Sequence, residues 1–533
     1  LTLGSNKHNA PWDIPNAKTI IIWGKNPAET NIQEIPFITA AKDKGAKVIV
    51  IDPVRTPTAD IADIMLSVRP GTDAALALAL AKLLIEKEFT DADFINKYVS
   101  GFEAFRDSLQ ITPAQAEQIT GIPAADIIEL SDIIGKEGPV TFLPGYGLQR
   151  HLNGGQTIRA ILALAILTGN IGKPGAGFNY ANLQSYIFDD VKEPDSYYPD
   201  PAKDIPFRRT LSMASLGRDM LETFDPVLKS AFIERGNPLL QLPDSGNVRK
   251  AFASLDFKVV IEQFMTDSAA IADVILPAKN MFEQSDIIGS YWSPYVQLKP
   301  KITDPPGEVM PESEVYYELA KRLRINMVEG LIPEPGNLNI EKWLEKRISG
   351  YSELKMDDLR HGPVLAPGLQ EIAYSDLKFD TRSGKIELYS PEAKIKWNVS
   401  PLPEYTPVPD HKSGDELPLR LITPNIGSRI HSQFGNLKII RENSESPAAL
   451  ISPDDADKRG ILNGSRIRIF NDSGDLHTIA RISNRIPPGC IILPNGIWLN
   501  EGGGGNLLIE GRETDMGHGA AFHDNMVNIE SAE

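Results

Sequence analysis

The chain has 533 residues, 41% hydrophobic and 23% charged, an ordinary globular composition with material for several cores. Its net charge of −17 argues against a sequence-independent grip on phosphate backbones, so nucleic acid is not an expected partner. A single cysteine, Cys490, rules out an internal disulfide framework, and no run of 18 apolar residues is present to cross a membrane as a helix.

The chain opens at Leu1 in a polar stretch without a signal-peptide pattern. It reads as cut or processed from something longer; a cytoplasmic location is expected, with a periplasmic one left open. Thr19–Trp23 is a short apolar run ending at Gly24, which fits a strand buried on both faces. A helix over 32–44 is closed by Gly45. Lys47–Ile51 is the next strand, ended by Asp52-Pro53, and 64–68 is a third. A long Ala/Leu helix then covers 73–89. Thr112-Pro113-Ala114-Gln115 has the form of a capping box, and Ile122-Pro123 starts a helix stopped by Gly135. A strand over 140–143 ends in Gly145 and Gly147, and 157–168 is a strongly apolar helix. This alternation implies βαβ units and a parallel sheet.

Residues 180–209 are rich in Asp, Pro and Tyr and read as a surface excursion. Phe232-Ile233-Glu234-Arg235-Gly236-Asn237-Pro238 then repeats the earlier design of strand, glycine and Asn-Pro. A strand over 258–263, a helix capped by Thr266 or Asp267, and a return to the sheet over 272–277 follow. Residues 300–418 read as connection plus a few helices. The end of the chain changes character: 465–470 and 476–482 alternate about Asn471-Asp472-Ser473-Gly474, a hairpin. With 491–493 and 526–529 this suggests a small β-barrel, in which Cys490 is a core residue.

In an open parallel sheet, ligands bind beyond the carboxyl ends of the strands. Several strand ends here join glycine to polar residues: Gly24 to Thr30, Asp52 to Thr56, Pro70 to Asp73, Gly145 to Arg150, and Gly236 to Leu240. Glycine admits close backbone approach, a following helix start can face a diphosphate, and a carboxylate accepts from ribose hydroxyls or guanine's donor edge. Each turn alone is also what strand ends favour for structural reasons. No GxGxxG follows the first strand, which argues against an ordinary nicotinamide or flavin site.

Together the segments resemble the molybdopterin oxidoreductases of the dimethyl sulfoxide reductase and formate dehydrogenase type. The resemblance is carried by Trp23-Gly24-Lys25-Asn26-Pro27, Val50-Ile51-Asp52-Pro53-Val54-Arg55-Thr56-Pro57-Thr58-Ala59, Arg69-Pro70-Gly71-Thr72-Asp73, Leu167-Thr168-Gly169-Asn170-Ile171-Gly172-Lys173-Pro174-Gly175, Ala272-Asp273-Val274-Ile275-Leu276-Pro277, Thr381-Arg382-Ser383-Gly384-Lys385-Ile386-Glu387 and Ser428-Arg429-Ile430-His431-Ser432-Gln433. It implies an α/β fold of two Rossmann-like parallel-sheet domains, over 1–180 and 181–330, a connecting segment over 331–415, and a six-stranded double-psi β-barrel over 416–533.

The resemblance further implies two pterin guanine dinucleotides holding Mo or W. Lys25, Asn26, Glu29, Thr30, Asp52, Arg55, Gly71 and Asp73 would hold one. Asn237, Leu240, Glu262, Phe264 and Thr266 would hold the other. Gly147 and Gln149 would lie near the pterins, and Arg429, His431, Ser432, Gln433, Asn506 and His523 would come from the barrel. Its activity would be two-electron redox of a small substrate, with an iron–sulfur or other redox subunit as electron partner. A hydratase on the same scaffold and a non-catalytic cofactor-binding subunit are the alternatives.

Two departures stand out. The four thiolates of the family's 4Fe–4S cluster cannot come from one cysteine, so the cluster is expected outside this chain. The family's metal ligand lies upstream of Thr19, where Ser5 is the nearest residue of a suitable type and too close to the strand; no metal ligand is expected here. Asn182 stands where formate dehydrogenases place an arginine, which reads away from formate, since a neutral amide does not hold a carboxylate as a guanidinium does. Gln149, Asn182 and His431 are the candidates for a catalytic role.

Overall fold

The computed structural model describes residues 1–180, 210–324, 332–408, 418–444 and 446–532. Strands β1 (Thr19–Trp23), β2 (Lys47–Ile51), β3 (Ile64–Leu66), β4 (Val140–Pro144) and β5 (Gly177–Phe178) form one parallel sheet in the order β3-β2-β1-β4-β5. All five residues of β1 are buried, because helices cover both faces of the sheet. Ile20, Ile22, Val48 and Val50 pack with Ile38 and Ala41 of α1 (Ile35–Asp43). Ile21, Trp23, Ile49 and Ile51 pack in the larger core of α2 (Asp73–Glu86), α3 (Ala124–Lys136) and α4 (Gly154–Leu167).

Several element boundaries differ from the expectations. The 32–44 helix divides into a 3-10 turn at Ile32–Glu34 and α1, with Pro36 in the helix's first turn. Helix α2 ends at Glu86, where Lys87 caps it and Glu88 turns to positive φ. Gly135 does not stop α3, which runs on to Lys136. Its role is contact: a Cβ there would lie 2.3 Å from the Phe89 ring. The Thr112 capping box forms as expected.

A second parallel sheet has the order β6-β7-β8, from β6 (Ser230–Glu234), β7 (Phe257–Glu262) and β8 (Val274–Pro277). Helix α5 (Ser245–Ala253) covers one face through Val248 and Phe252, against Ile233 and Val260. On the other face Phe232, Phe257 and Val274 stay 44%, 47% and 38% exposed. The helix expected after Thr266 is only the 3-10 turn Ala269–Ile271, although Thr266 Oγ1 does accept from the Ala269 N–H. A hairpin of β9 (Asp286–Ser290) and β10 (Ser293–Lys299) precedes the mixed region and was not anticipated. The later part of the connection returns to the first sheet's core, where Ala373, Tyr374, Phe379, Ile386 and Leu388 are buried.

The C-terminal strands β11 (Leu419–Ile422), β12 (Ala449–Ile451), β13 (Arg466–Asn471), β14 (Gly474–Ile482), β15 (Cys490–Ile492) and β16 (Asn525–Ser531) close into a barrel in the order β11-β15-β12-β14-β13-β16. Its own core includes Leu421, Ile451, Ile469, Ile491 and Val527. Cys490 is buried in a smaller cluster that also receives Val54 from the first domain.

The two sheets share a connection at atomic detail. Asn26 Oδ1 accepts from Thr58 Oγ1 at 2.7 Å, and that hydroxyl accepts from the Ala28 N–H at 3.1 Å. Asn237 Oδ1 accepts from Ser268 Oγ at 2.7 Å, and that hydroxyl accepts from the Leu239 N–H at 3.2 Å. Asp63 accepts from the Val48 N–H at 2.8 Å and Asp273 from the Lys258 N–H at 2.7 Å. The segments Thr58 to Leu66 and Ser268 to Leu276 match in register, so the sheets are two copies of one unit.

Candidate cofactor site

The barrel docks against both units at their strand ends, along two seams. At the first seam Glu29 lies beside Gly427, where a Cβ would sit 3.6 Å from Glu29 Cα. The Arg55 N–H donates to the Arg485 carbonyl at 3.0 Å, and Arg485 pairs with Asp60 at 2.7 Å. Asp52 is buried and accepts from the Val54 N–H at 2.9 Å. Burial pushes its pKa from 3.8 up to about 7, and the nearby Asp73 adds to the rise. Asp73 is buried with one oxygen committed to Trp23 Nε1 at 2.7 Å. Gly71 at φ +79° brings its backbone onto Val408 and His151, and Gly147 lies against the Gly24 carbonyl.

The loop after β4 carries the densest polar network, and the strand-end motifs gave no sign of most of it. Arg150 donates to the Thr423 carbonyl at 2.9 Å and to Thr423 Oγ1 at 3.1 Å, with its guanidinium over the Phe522 ring. Burial lowers its pKa to about 10, which leaves it charged at neutral pH. His151 Nδ1 is hydrogen-bonded to the fully buried Asp524 at 2.7 Å, and Asp524 also accepts from Arg420 and from the Leu152 N–H. His523 packs edge-on to His151. Burial, then the charge of Arg150, hold its pKa well below the usual histidine range, so the ring is neutral. Its Nε2 is buried without a hydrogen-bond partner. His431 is lowered by desolvation and by Arg150. Gln149 accepts from the Tyr180 hydroxyl. The start of α4 does not offer its N–H groups to an external anion, because Asp515 of the barrel accepts from Gly155 and Gln156 at 2.7 and 2.9 Å.

At the second seam Asn506 Nδ2 donates to the Leu240 carbonyl at 2.9 Å, and the Asp244 N–H donates to the Ile509 carbonyl at 2.8 Å. Arg249, on α5, comes within about 4 Å of Gly504 of the barrel, and its Nε and Nη2 are buried without partners. Asp267 stands near it, with a pKa raised by burial. Neither was singled out in the sequence, because a lone Arg on a helix carries no motif. Phe264 is half exposed at the end of β7. Glu262 accepts from its neighbour Gln263, and Thr266 is a buried cap.

Some predicted residues are engaged elsewhere. Asn26 and Asn237 spend their side-chain carbonyls on the pin described above. The Lys25 ammonium is paired with Glu34 at 2.7 Å in a cleft lined by His8 and Trp292. Thr30 is exposed and donates to the Asn26 carbonyl. Ser5 lies against Tyr374, whose hydroxyl donates to its carbonyl. Ser432 is buried, with its carbonyl taken by Trp498 Nε1, and Gln433 is exposed. Asn182 lies outside the described residues.

Two family models match this chain: "Molybdopterin oxidoreductase" over residues 3–322 and "Molydopterin dinucleotide binding domain" over 419–526. The chain belongs to the molybdopterin oxidoreductase family. It is 32% identical to the "Probable oxidoreductase YoaE" of Bacillus subtilis (strain 168), over 99% of this chain and 77% of that protein. It is 31% identical to the dimethyl sulfoxide reductase DmsA of Escherichia coli (strain K12), over 98% of this chain and 72% of that protein. The acetylene hydratase from Pelobacter acetylenicus superposes with a TM-score of 0.81, covering 100% of this chain and 80% of its own; at 22% identity that likeness concerns the fold. The family membership makes this chain a molybdopterin-dependent oxidoreductase of the dimethyl sulfoxide reductase type. The pterin dinucleotide fits what the two seams offer. Buried guanidinium donors without acceptors suit a diphosphate, and the carboxylates of Asp52 and Asp267 suit the donors of a guanosine.

Proposed function

We propose that this chain is the dinucleotide-gripping body of a bis(molybdopterin guanine dinucleotide) oxidoreductase, with Mo or W, that moves two electrons to or from a small substrate. The observation that carries the reading is the set of buried polar atoms without partners along the seams: Arg249 Nε and Nη2, Arg429 Nε, His523 Nε2 and Asn425 Oδ1. A buried guanidinium N–H with no acceptor costs stability, and a phosphate oxygen removes that cost. Asp52, Glu29 and Arg55 would take one guanosine diphosphate arm. Asp267, Arg249 and Phe264 would take the other, with Phe264 offering a ring face to the base. When bound, the metal–pterin centre supplies the redox chemistry, and the protein binds, orients and tunes.

The chain's own part is electrostatic. Arg150 stays charged and is anchored by Thr423, while the neutral His523 presents Nε2 in the same buried region. Asp524 fixes His151 and thereby the loop bearing Gln149. A 4Fe–4S cluster and a redox subunit outside this chain complete the reading, since Cys490 alone cannot hold a cluster. Formate is not among the proposed substrates, because Asn182 offers its carboxylate no cation.

The test is stoichiometric. Metal is counted by mass spectrometry and guanosine monophosphate is released by acid hydrolysis. Two nucleotides per metal are expected; one or none overturns the two-dinucleotide reading. A metal oxidation state that ignores every substrate turned over would overturn redox chemistry in favour of hydration.

A further inference from the structure

Resting on the dinucleotide reading above, we infer that Glu501 is a positioning residue that clamps Arg429 by one edge of its guanidinium and holds the Nε–H edge open for a phosphate oxygen. The Arg429 side chain is 6% exposed, and its Nη1 donates to Glu501 Oε2 at 2.6 Å. Its Nε is buried with no partner. Gly435 stands against the opposite side: a Cβ there would lie 2.1 Å from Arg429 Nη1, so only glycine lets the guanidinium lie in this plane.

The carboxylate is itself held. Arg441 approaches Glu501 Oε1 at 3.4 Å while donating to the Gly435 carbonyl at 3.0 Å. The Glu501 N–H donates to the Trp498 carbonyl at 2.9 Å, and Trp498 Nε1 donates to the Ser432 carbonyl at 2.7 Å. Two guanidiniums against one carboxylate leave the cluster with one net positive charge (2 − 1 = 1), which favours an anion over a second cation. An unclamped arginine loses rotamer freedom when it takes a phosphate. Here Glu501 has removed that freedom in advance, and the planar fork keeps one edge for the ligand. A carboxylate that merely competed with phosphate would give the opposite sign when neutralised.

Isothermal calorimetry of guanosine diphosphate binding to the full chain, purified without cofactor, tests this. Glu501→Gln is expected to weaken binding about tenfold, the scale of one charge-assisted hydrogen bond. Arg441→Gln, on an exposed side chain, is expected to weaken it about two- to threefold with the unfolding temperature unchanged. In an Arg429→Ala background, Glu501→Gln should add nothing, which a purely structural Glu501 would not satisfy. Tight wild-type binding with an unchanged or tighter Glu501→Gln overturns the clamp alone. Absence of binding by every form overturns the dinucleotide reading and this inference with it. Should Glu501→Gln fail to fold, an unchanged Arg441→Gln overturns the clamp.

Discussion

The two α/β units are built on the same pin but finished differently. In each, an Asn-Pro turn after the first strand is tied to a hydroxyl at the start of the next crossover, Asn26 to Thr58 and Asn237 to Ser268. In the first unit helices cover both faces of a five-stranded sheet; in the second a three-stranded sheet leaves one face partly open. The residue before the shared turn shows the consequence. Gly24 has φ +58°, and its counterpart Arg235 adopts φ +54°. Glycine is compulsory where Leu148 closes over the turn, and a long side chain is tolerated where nothing does. The pin is therefore scaffold, and ligand choice lies in what surrounds it: buried Asp52 in one unit, the partly exposed Glu262 in the other.

The largest break in this comparison is Gly24→Ala. A Cβ at Gly24 would sit 2.8 Å from Leu148 Cγ, on a backbone that L residues avoid. Overpacking and positive φ together are expected to cost about 3 kcal/mol, read as a lower denaturation midpoint. A loss below about 1 kcal/mol would mean that Leu148 yields freely and that the glycine is not required. Asn237→Ala comes next. Asn237 is 2% exposed and accepts from both Ser268 Oγ and the Ser268 N–H at 3.1 Å. Stranding those donors is expected to cost about 2 kcal/mol, and Asn26→Ala somewhat less, because its surroundings are wetter. Equal losses would show that the open sheet gives its pin no less water than the closed one.

The carboxylates sharpen the contrast through pH. An unfolded aspartate ionises near 4, whereas burial raises native Asp52 to about 7. Between these values the native state binds more protons than the unfolded one, so stability falls as pH rises from 4 to 7 and levels off above. Asp52→Asn removes that slope. The variant should be more stable than wild type by about 1–2 kcal/mol above pH 7, gain nothing at pH 4, and retain less guanine nucleotide. Glu262→Gln is the control, expected to stay within about 0.5 kcal/mol of wild type. A wild-type unfolding temperature that climbs from pH 4 to 7 in step with Asp52 would contradict the assignment.

Much of this architecture was readable in the chain because it is local. Apolar five-residue runs such as Thr19–Trp23, the capping box at Thr112 and the Asn471 to Gly474 turn carry their signals within a few residues. The site was readable only where a motif marks a strand end, as at Asp52. The features missed are pairings of distant residues. His151 meets Asp524 across 373 positions, and Asp515 caps α4 from the barrel, neither marked by any pattern near it. Gly135 was misread because a helix-stopping glycine and a glycine that admits the Phe89 ring look alike in one dimension. The hairpin of β9 and β10 was passed over because Asp286–Ser290 alternates weakly, with exposed residues at both edges.

The smallest effect, and the most direct test of the paired units, is Arg235→Gly. Arg235 holds a left-handed backbone while its side chain, 70% exposed, makes only marginal pairs with Glu234 at 3.1 Å and Glu312 at 3.7 Å. Exposed pairs of this kind contribute about 0–1 kcal/mol, and a left-handed non-glycine residue costs about 1–2 kcal/mol. Glycine relieves the backbone but widens the unfolded ensemble, which returns part of the gain. The net expectation is a stabilisation of a few tenths to about 1 kcal/mol, with bound guanine nucleotide unchanged. A clear destabilisation would show that the Arg235 side chain is needed at the open sheet. A loss of nucleotide would move it from scaffold to ligand contact and break the equivalence with Gly24.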